Sequence, residues 1–333
     1  MRVYRAIPAR ADRPIALTIG NFDGVHVGHR AMLERLQHEA ALRQLPTAVM
    51  TFEPHPREFF APDQAPTRLS SLREKLGMLA TLGIDRAYVC RFTYDFARTT
   101  AEDFVERMLV HGLGVRWLLV GDDFRFGARR AGDLRLLSAL AHHLGFEVQA
   151  MGSVIIAGRR VSSTAVREAL SAGNLELAAE LLGRPYAISG RVVRGQRIGR
   201  TLGFPTANVR MRHNRPPLFG IFAVRVYGLG PLPVNGAASL GVRPTVESAG
   251  IPVLEVHLLD FDREIYGRHV RVEFLHKLRD EEKYPDLEAL RRQIELDVET
   301  TRGYFANGAL ALQARNAADR THAVLGDKLR PVE

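Results

Sequence analysis

At Gly183-Arg184-Pro185 the chain changes rhythm, and that change constrains the fold more than any other feature. From Ile15 to about Leu182, short apolar runs alternate with segments of helical period. Ile15-Ala16-Leu17-Thr18-Ile19 reads as a buried strand, and Arg30–Arg43 as a helix with Met32, Leu33, Leu36 and Ala40 on one face. Thr47–Phe52, Ala87–Phe92, Trp117–Gly121 and Val148–Met151 are expected as further strands. Leu72–Leu82, Ala101–His111 and Leu134–Leu144 are expected as helices. Such alternation implies a parallel sheet flanked by helices, an α/β domain. From Ala187 to Lys277 the runs are short and β-like, at Ala187–Val193, Phe222–Val226, Leu254–Leu259 and Val270–Phe274, with Gly and Pro between them. That pattern predicts an antiparallel barrel or sandwich. Leu287–Thr301, with Leu290, Ile294 and Val298 at helical spacing, reads as a closing helix.

A length of 333 residues suits two such domains, at roughly 100–200 residues each. With 46% apolar and 25% charged residues, each has material for a core. No apolar run of about 18 residues is present, so no membrane span is expected. Met1–Pro14 carries four Arg and two Pro but no apolar stretch, unlike a secretory signal. The single cysteine, Cys90, cannot form an internal disulfide, which favours a reduced, cytoplasmic setting. The net charge of +9 fits either a solvated basic surface or attraction to anionic substrates such as nucleotides. Nucleic acid is disfavoured, because Arg is spread along the chain and only one Trp is present for stacking. No motif sets an oligomeric state.

Gly20-Asn21-Phe22-Asp23-Gly24-Val25-His26-Val27-Gly28-His29 follows the first strand and opens the first helix. Ligands of parallel sheets bind there, at the carboxyl ends of strands. Gly20, Gly24 and Gly28 let the backbone turn tightly, and the helix N-terminus offers N–H groups to a phosphate. His26 and His29, three apart, can face one ligand and donate to phosphate oxygens as charge builds on a leaving pyrophosphate. Alone, a His-x-x-His pair also reads as a surface pair or half a metal site. Val161-Ser162-Ser163-Thr164-Ala165-Val166-Arg167 precedes a short helix, Ala165–Leu170. Its hydroxyls read as N-caps or as phosphate ligands, with Arg167 as a guanidinium clamp one turn on.

A second glycine-spaced, basic stretch runs from Gly190 through Arg194-Gly195-Gln196-Arg197-Ile198-Gly199-Arg200 to Phe204-Pro205-Thr206-Ala207-Asn208. It lacks the P-loop spacing, yet Gly with Arg can wrap phosphates. Thr206 and Asn208 carry hard oxygen donors suited to Mg²⁺, although a simple capped turn has the same look. Leu254–Asp260 alternates, so Glu255 and His257 share a face, either as a solvated edge or as a base beside a substrate.

Together these segments resemble the bifunctional riboflavin kinase/FAD synthetase family over nearly the whole chain. His-x-Gly-His with a later Ser-Ser-Thr-x-x-Arg is similar to nucleotidyltransferases that transfer AMP or CMP and release pyrophosphate. Phe52-Glu53-Pro54-His55-Pro56 and Val120–Gly127 narrow the likeness to the FAD synthetase branch. Gly190–Asn208, Gly241-Val242-Arg243-Pro244-Thr245, Glu255-Val256-His257 and Gln293–Asp297 with Arg302 resemble a riboflavin kinase. The resemblance implies a Rossmann-like nucleotidyltransferase domain over residues 1–183 and a kinase β-barrel with its closing helix over residues 184–305. In the first, Gly20, Asn21, Phe22, Gly24, Gly28, Ser163 and Thr164 would hold ATP, with His26, His29 and Arg167 acting on its phosphates. Pro56, Asp123, Phe124 and Phe126 would lie near the flavin or the adenosine; Phe124 and Phe126 also read as core residues. In the second, Gly195, Gly199 and Arg200 would wrap ATP, Thr206 and Asn208 would bind Mg²⁺, and Glu255 would be the base. Riboflavin, FMN, FAD and ATP are the implied partners.

Two departures stand out. Val246 sits where the family commonly has an aromatic residue, and residues 306–333 match no family element. Ala309–Ala318 has helical propensity, and the tail is expected to be a disordered or loosely docked end. A synthetase with a silent kinase half, or a non-catalytic flavin-binding regulator, are the competing readings. Loss of Thr206, Asn208 or Glu255 would favour the first and loss of the histidine pair the second, and all are present.

Overall fold

β2 (Ile15–Ile19) is buried at every position, as its unbroken apolar run requires of a strand covered on both faces. The structure, a computed structural model, describes residues 1–326 except 157, 196–197, 212–214 and 246–247. In it the chain divides into two units. The first comprises Met1–Ala172, Glu176–Arg184 and Arg215–Pro217, and the second Gly173–Leu175, Pro185–Asn214 and Leu218–Glu333.

The first unit is built on a six-stranded sheet. Besides β2 it contains β1 (Arg2–Tyr4), β3 (Thr47–Glu53), β4 (Arg86–Arg91), β5 (Val115–Gly121) and β6 (Glu147–Met151). The order is β1-β4-β3-β2-β5-β6 and every pairing is parallel. Alternate residues feed two cores. Ile15, Leu17 and Ile19 join Met50, Leu118 and Val120 on one face, while Ala16 joins Leu33, Leu36, Val49 and Trp117 on the other. The helices Val27–Leu42, Leu72–Thr81 and Leu134–Leu144 lie where the periodicity predicts them. Ala101–His111 differs from its expected α-helix. After one turn capped by Thr100 it continues as a π-helix over Phe104–Gly112, where the Leu113 amide donates to the Met108 carbonyl. β1, which has no apolar pattern, is held by the stack of Tyr4 on Tyr88.

The second unit is a closed antiparallel barrel. Its strands are β9 (Tyr186–Val193), β10 (Thr206–Arg210), β11 (Gly220–Tyr227), β12 (Val234–Thr245), β13 (Ser248–Leu258) and β14 (His269–Arg279). (β7, Ile155–Ile156, and β8, Arg159–Arg160, form a small ribbon in the first unit.) The Pro-Thr-Ala-Asn segment therefore opens a strand, not a capped turn, because β9 and β13 both pair with it. Phe222 and Phe274 meet edge to face in the barrel core, 5.2 Å apart. The closing helix runs Leu287–Gly326, well beyond Thr301, so the tail continues this helix through Gly326 instead of forming a disordered end. Val246 and residues 327–333 lie outside the described residues. Arg279 on β14 makes a two-pronged pair with Asp297 at 2.8 and 2.6 Å, tying the helix to the barrel.

Phe222 is fully buried, so Phe222→Ala removes apolar volume with no route for solvent to fill it. The expected cost is about 3–5 kcal/mol, measured as a lowered unfolding midpoint of the barrel by calorimetry.

Candidate active sites

In the first unit, the loop from Gly20 to His26 leaves the carboxyl end of β2 under strain. Phe22 and Val25, neither of them glycine, have φ of 47° and 41°, and Gly24 has φ 78°. For a β-branched residue such as Val25 this conformation is rare, and each such residue costs on the order of 1–3 kcal/mol. Hydrogen bonds hold the loop there. Asp23, 6% exposed, accepts from the amides of Leu69 and Ser70, from the Ser70 hydroxyl, and from Arg167 Nη2 at 2.5 Å. Arg184 donates to the carbonyls of Gly24 and Val25, and Ser163 Oγ donates to the Asp23 carbonyl.

His26 is the N-cap of the helix Val27–Leu42: its Nδ1 accepts from the His29 amide at 3.2 Å. Nε2 is then the protonated nitrogen of the neutral ring, a donor. The His29 ring stacks on it at 3.6 Å and packs against Phe22. A Cβ at Gly28 would lie 3.2 Å from the His26 ring, a tight contact that glycine avoids. Two imidazolium charges so close would repel by about 4 kcal/mol at an effective dielectric of ~20. Burial pushes the His26 pKa down to about 4 and that of His29 well below its ordinary value. The first turn of this helix has no acidic residue, so its positive dipole end is uncompensated. Asn21 Oδ1 and His29 Nδ1 are buried without hydrogen-bond partners. Neutral donors, a helix N-terminus with no acidic residue in its first turn and unsatisfied polar atoms converge at a place able to bind an anion and stabilise a leaving phosphate.

The other expected residues are placed unevenly. Gly20 begins the loop. Phe22 is fully buried and supports His29 from beneath. Ser162, not Ser163, caps the helix Ser163–Ser171, and Thr164 is exposed. Arg167 spends Nη2 on Asp23 and Nε on the Thr67 carbonyl. Pro56 starts the short helix Pro56–Phe60, and exposed Asp123 pairs with Arg160 at 2.8 Å. Phe126 lies in the core with Phe124 stacked on it. Sequence reasoning missed Asp23, Thr51, Arg68, Lys75 and Arg184. Arg68 gathers Glu53 and Glu58 below the Glu53–Pro56 loop. Asp23 and Arg184 have partners far along the chain, and only the basic or acidic character of each is visible locally.

In the second unit, strand register assembles the site. Asn208 on β10 faces Glu255 on β13, and Thr206 faces His257. Thr206 Oγ1 lies 3.5 Å from Glu255 Oε2, and His257 Nδ1 is 3.0 Å from the Pro205 carbonyl. A Cβ at Gly195 would fall on the Asn208 amide, and one at Gly199 would lie 3.3 Å from Thr206 Oγ1. The glycine spacing thus lets a backbone cross directly over these oxygens. Gln196, Arg197 and the Arg200 side chain lie outside the described residues. Thr206, Glu255 and His257 line a cavity of about 880 Å³ with Tyr284, Leu290, Ile294 and Val298, a size for a drug-sized ligand. The oxygen donors of Thr206, Asn208 and Glu255 suit a hard divalent cation.

Each unit thus carries a candidate site of its own construction, an arrangement suited to a two-domain transferase. A model of the FAD synthetase family matches residues 9–165, and one of the riboflavin kinase family matches residues 182–305. A bifunctional riboflavin kinase/FMN adenylyltransferase of Escherichia coli (strain K12) is 50% identical over 309 residues, covering 92% of this chain and 98% of the relative. A protein of the same description from Pseudomonas fluorescens is 46% identical over 297 residues, 89% of this chain and 95% of its own. The chain belongs to the bifunctional riboflavin kinase/FMN adenylyltransferase family. A solved structure described as a macrolide-efflux protein from Streptococcus pneumoniae superposes with a TM-score of 0.78 at 27% identity, covering 91% of this chain and 99% of that one. Among the described residues no helix is long and apolar enough to cross a membrane.

The histidine pair makes stability depend on pH. The folded pKa of His26 lies below its unfolded value, so the unfolded chain binds more protons between about pH 6.5 and 4. Stability gained by keeping this ring neutral is present above pH 6.5 and lost as pH falls through that window. Urea unfolding followed by the fluorescence of Trp117 is expected to show a falling midpoint from pH 7 to 4.5, with a shallower fall in His26→Asn, which keeps a capping side chain.

Proposed function

We propose that this chain makes the flavin cofactors in two steps. The second unit phosphorylates riboflavin with ATP, giving FMN and ADP. The first adenylates FMN with a second ATP, giving FAD and pyrophosphate. Family membership supports both activities, and the observation that carries the reading is that both sets of chemical groups are complete on one chain.

In the kinase half, Glu255 orients the ribityl 5′-hydroxyl and takes its proton as the oxygen attacks the γ-phosphate. Glu255 stands across the register from Asn208 and beside Thr206, which places the base next to the oxygens that would hold Mg²⁺. Mg²⁺ brought with ATP would supply neutralisation of phosphate charge there. Gly195 and Gly199 leave room for the backbone to approach the phosphates, while Leu290, Ile294 and Val298 offer an apolar wall to the isoalloxazine.

In the adenylyltransferase half, the FMN phosphate oxygen attacks the α-phosphorus of ATP and pyrophosphate leaves. His26, donating through Nε2, and His29 stabilise the departing charge, with the amides of the helix N-terminus. Asn21, Gly24, Gly28, Ser163 and Thr164 would surround the ATP phosphates. Arg167 acts by fixing Asp23, and so the loop. Pro56, Asp123 and Phe124 stay on the flavin side. The single, free cysteine, Cys90, fits action in the reducing cytoplasm.

Purified protein incubated with ATP and Mg²⁺ is expected to turn riboflavin into FMN and FAD, and FMN into FAD, read by chromatography. Flavin bound but unchanged in both reactions would instead mark a binding protein. Glu255→Ala should cut FMN formation by about 10²–10⁴-fold and leave FAD formation from FMN. His29→Ala should do the reverse, and equal loss of both activities in either variant would refute two separate sites.

A further inference from the structure

Lys75 is a buried cation with no assigned role. It lies on the helix Leu72–Thr81 and is 6% exposed. Among the described residues no carboxylate lies within ion-pair distance of it. The one hydrogen bond of its ammonium among the described residues, at 3.4 Å, goes to the Thr51 hydroxyl. An ammonium held this way is costly, because burial removes its water and no counter-charge replaces it. A structural lysine in such a place would be expected to carry a direct carboxylate partner.

Its position relates it to the adenylyl-transfer loop. Thr51, on β3, is fully buried, and its hydroxyl donates in turn to the Asn21 carbonyl at 3.2 Å. Since Lys75 can only donate, Thr51 must accept from it, which leaves the hydroxyl hydrogen to point at Asn21. Asn21 is the residue whose Oδ1 is buried without a partner. Burial, the neighbouring His26 and, after them, the charge of Lys75 all disfavour protonation of the His29 ring.

We propose that Lys75 is a positioning residue for adenylyl transfer: a buried cation that fixes Asn21 through Thr51, with its charge near the His26–His29 stack. The proposal rests on the reading of that loop as the FAD-forming site. An uncharged pair keeps the cap, in which His26 Nδ1 must accept, and the Nε2 donor together. A protonated pair would break the cap and drive the two rings apart.

The charges facing these groups act in both directions. His29 faces His26 on its own helix start and Lys75 from the neighbouring helix, and both oppose its protonation. His26 faces Asp23, which favours its charge, and Arg184 and Arg167, which oppose it. Lys75 feels Asp23, Glu53 and Glu58, which favour its charge, and Arg68, which opposes it, while burial lowers its pKa overall. The carboxylates sustain the ammonium from a distance, and none of them quenches it.

The test uses the full chain with ¹³C-labelled histidine. Ring signals of His26 and His29, assigned with His26→Asn and His29→Asn, are followed by NMR from pH 4 to 8 in wild type, Lys75→Met and Lys75→Arg. In parallel, kcat for FAD formation from FMN is measured over the same range, with riboflavin phosphorylation as the internal control. In wild type His29 is expected to stay uncharged at pH values where an ordinary imidazole becomes protonated. In Lys75→Met kcat for FAD formation should fall by about tenfold or more, and His29 should titrate at higher pH than in wild type. Riboflavin phosphorylation should stay unchanged, and Lys75→Arg should restore much of the wild-type rate of FAD formation. A folded Lys75→Met whose His29 titration and kcat profile are both unmoved would overturn the proposal. So would an ordinary His29 titration near pH 6.5 in wild type, which needs no variant to fold. Should wild type form no FAD from FMN, the functional reading falls, while the ring titrations still judge Lys75.

Discussion

The carboxylate of Asp23 is the interaction on which the first site depends. It gathers two amides, a hydroxyl and a guanidinium from segments 46 to 144 residues away. The donors come from two parts of the wall: Leu69 and Ser70 precede one helix, and Arg167 lies on another. A buried charge with this many donors is strongly held, and the network is worth more than its separate bonds. That is what allows Phe22 and Val25 to remain in conformations that an isolated loop would abandon. The strain and the carboxylate are two parts of one device, which presents His26 and His29 at the start of a helix with an unshielded dipole.

The second site reaches comparable order by another route. No single carboxylate organises it. Antiparallel register sets Asn208 opposite Glu255 and Thr206 opposite His257, and the backbone ladder fixes their spacing. A strand ladder is hard to shift by one residue, since a slip would turn Val209, Leu254 and Val256 out of the core. The closing helix adds a wall to the cavity, secured by the Arg279–Asp297 pair.

Much of this was legible in the sequence where the signal is local. The unbroken apolar run of β2, the periodicity of Leu134–Leu144 and the Gly-His pattern at 20–29 each depend on neighbours a few residues away, and the structure has a strand, a helix and a loop–helix start at those places. β10 was harder to read, because Pro205 and Asn208 are turn-formers and only two flanking strands make the segment extended. β1 has three residues and no pattern, and depends on Tyr88 and on the pairing with β4. The helical extension to Gly326 was visible only as alanine propensity. Lys75 reads in sequence as an ordinary polar position of a helix, since its burial arises from Thr51 and Asn21, which belong to other elements. Phe22 shows the converse: a motif residue whose ring belongs to the core.

Barrel closure has a further consequence, for solubility. An open sheet presents unpaired N–H and C=O groups along its outer strands, which can recruit strands from other molecules. The six strands of the second unit pair in a ring, so that unit offers no such template. The parallel sheet of the first unit does have two outer strands, but one is the three-residue β1 with Arg2 in it, and the other is β6, which begins at exposed Glu147. Short length on one side and charge on the other are features that keep strand edges from joining. In a chain organised this way the edges of the two large sheets give other copies little to pair with.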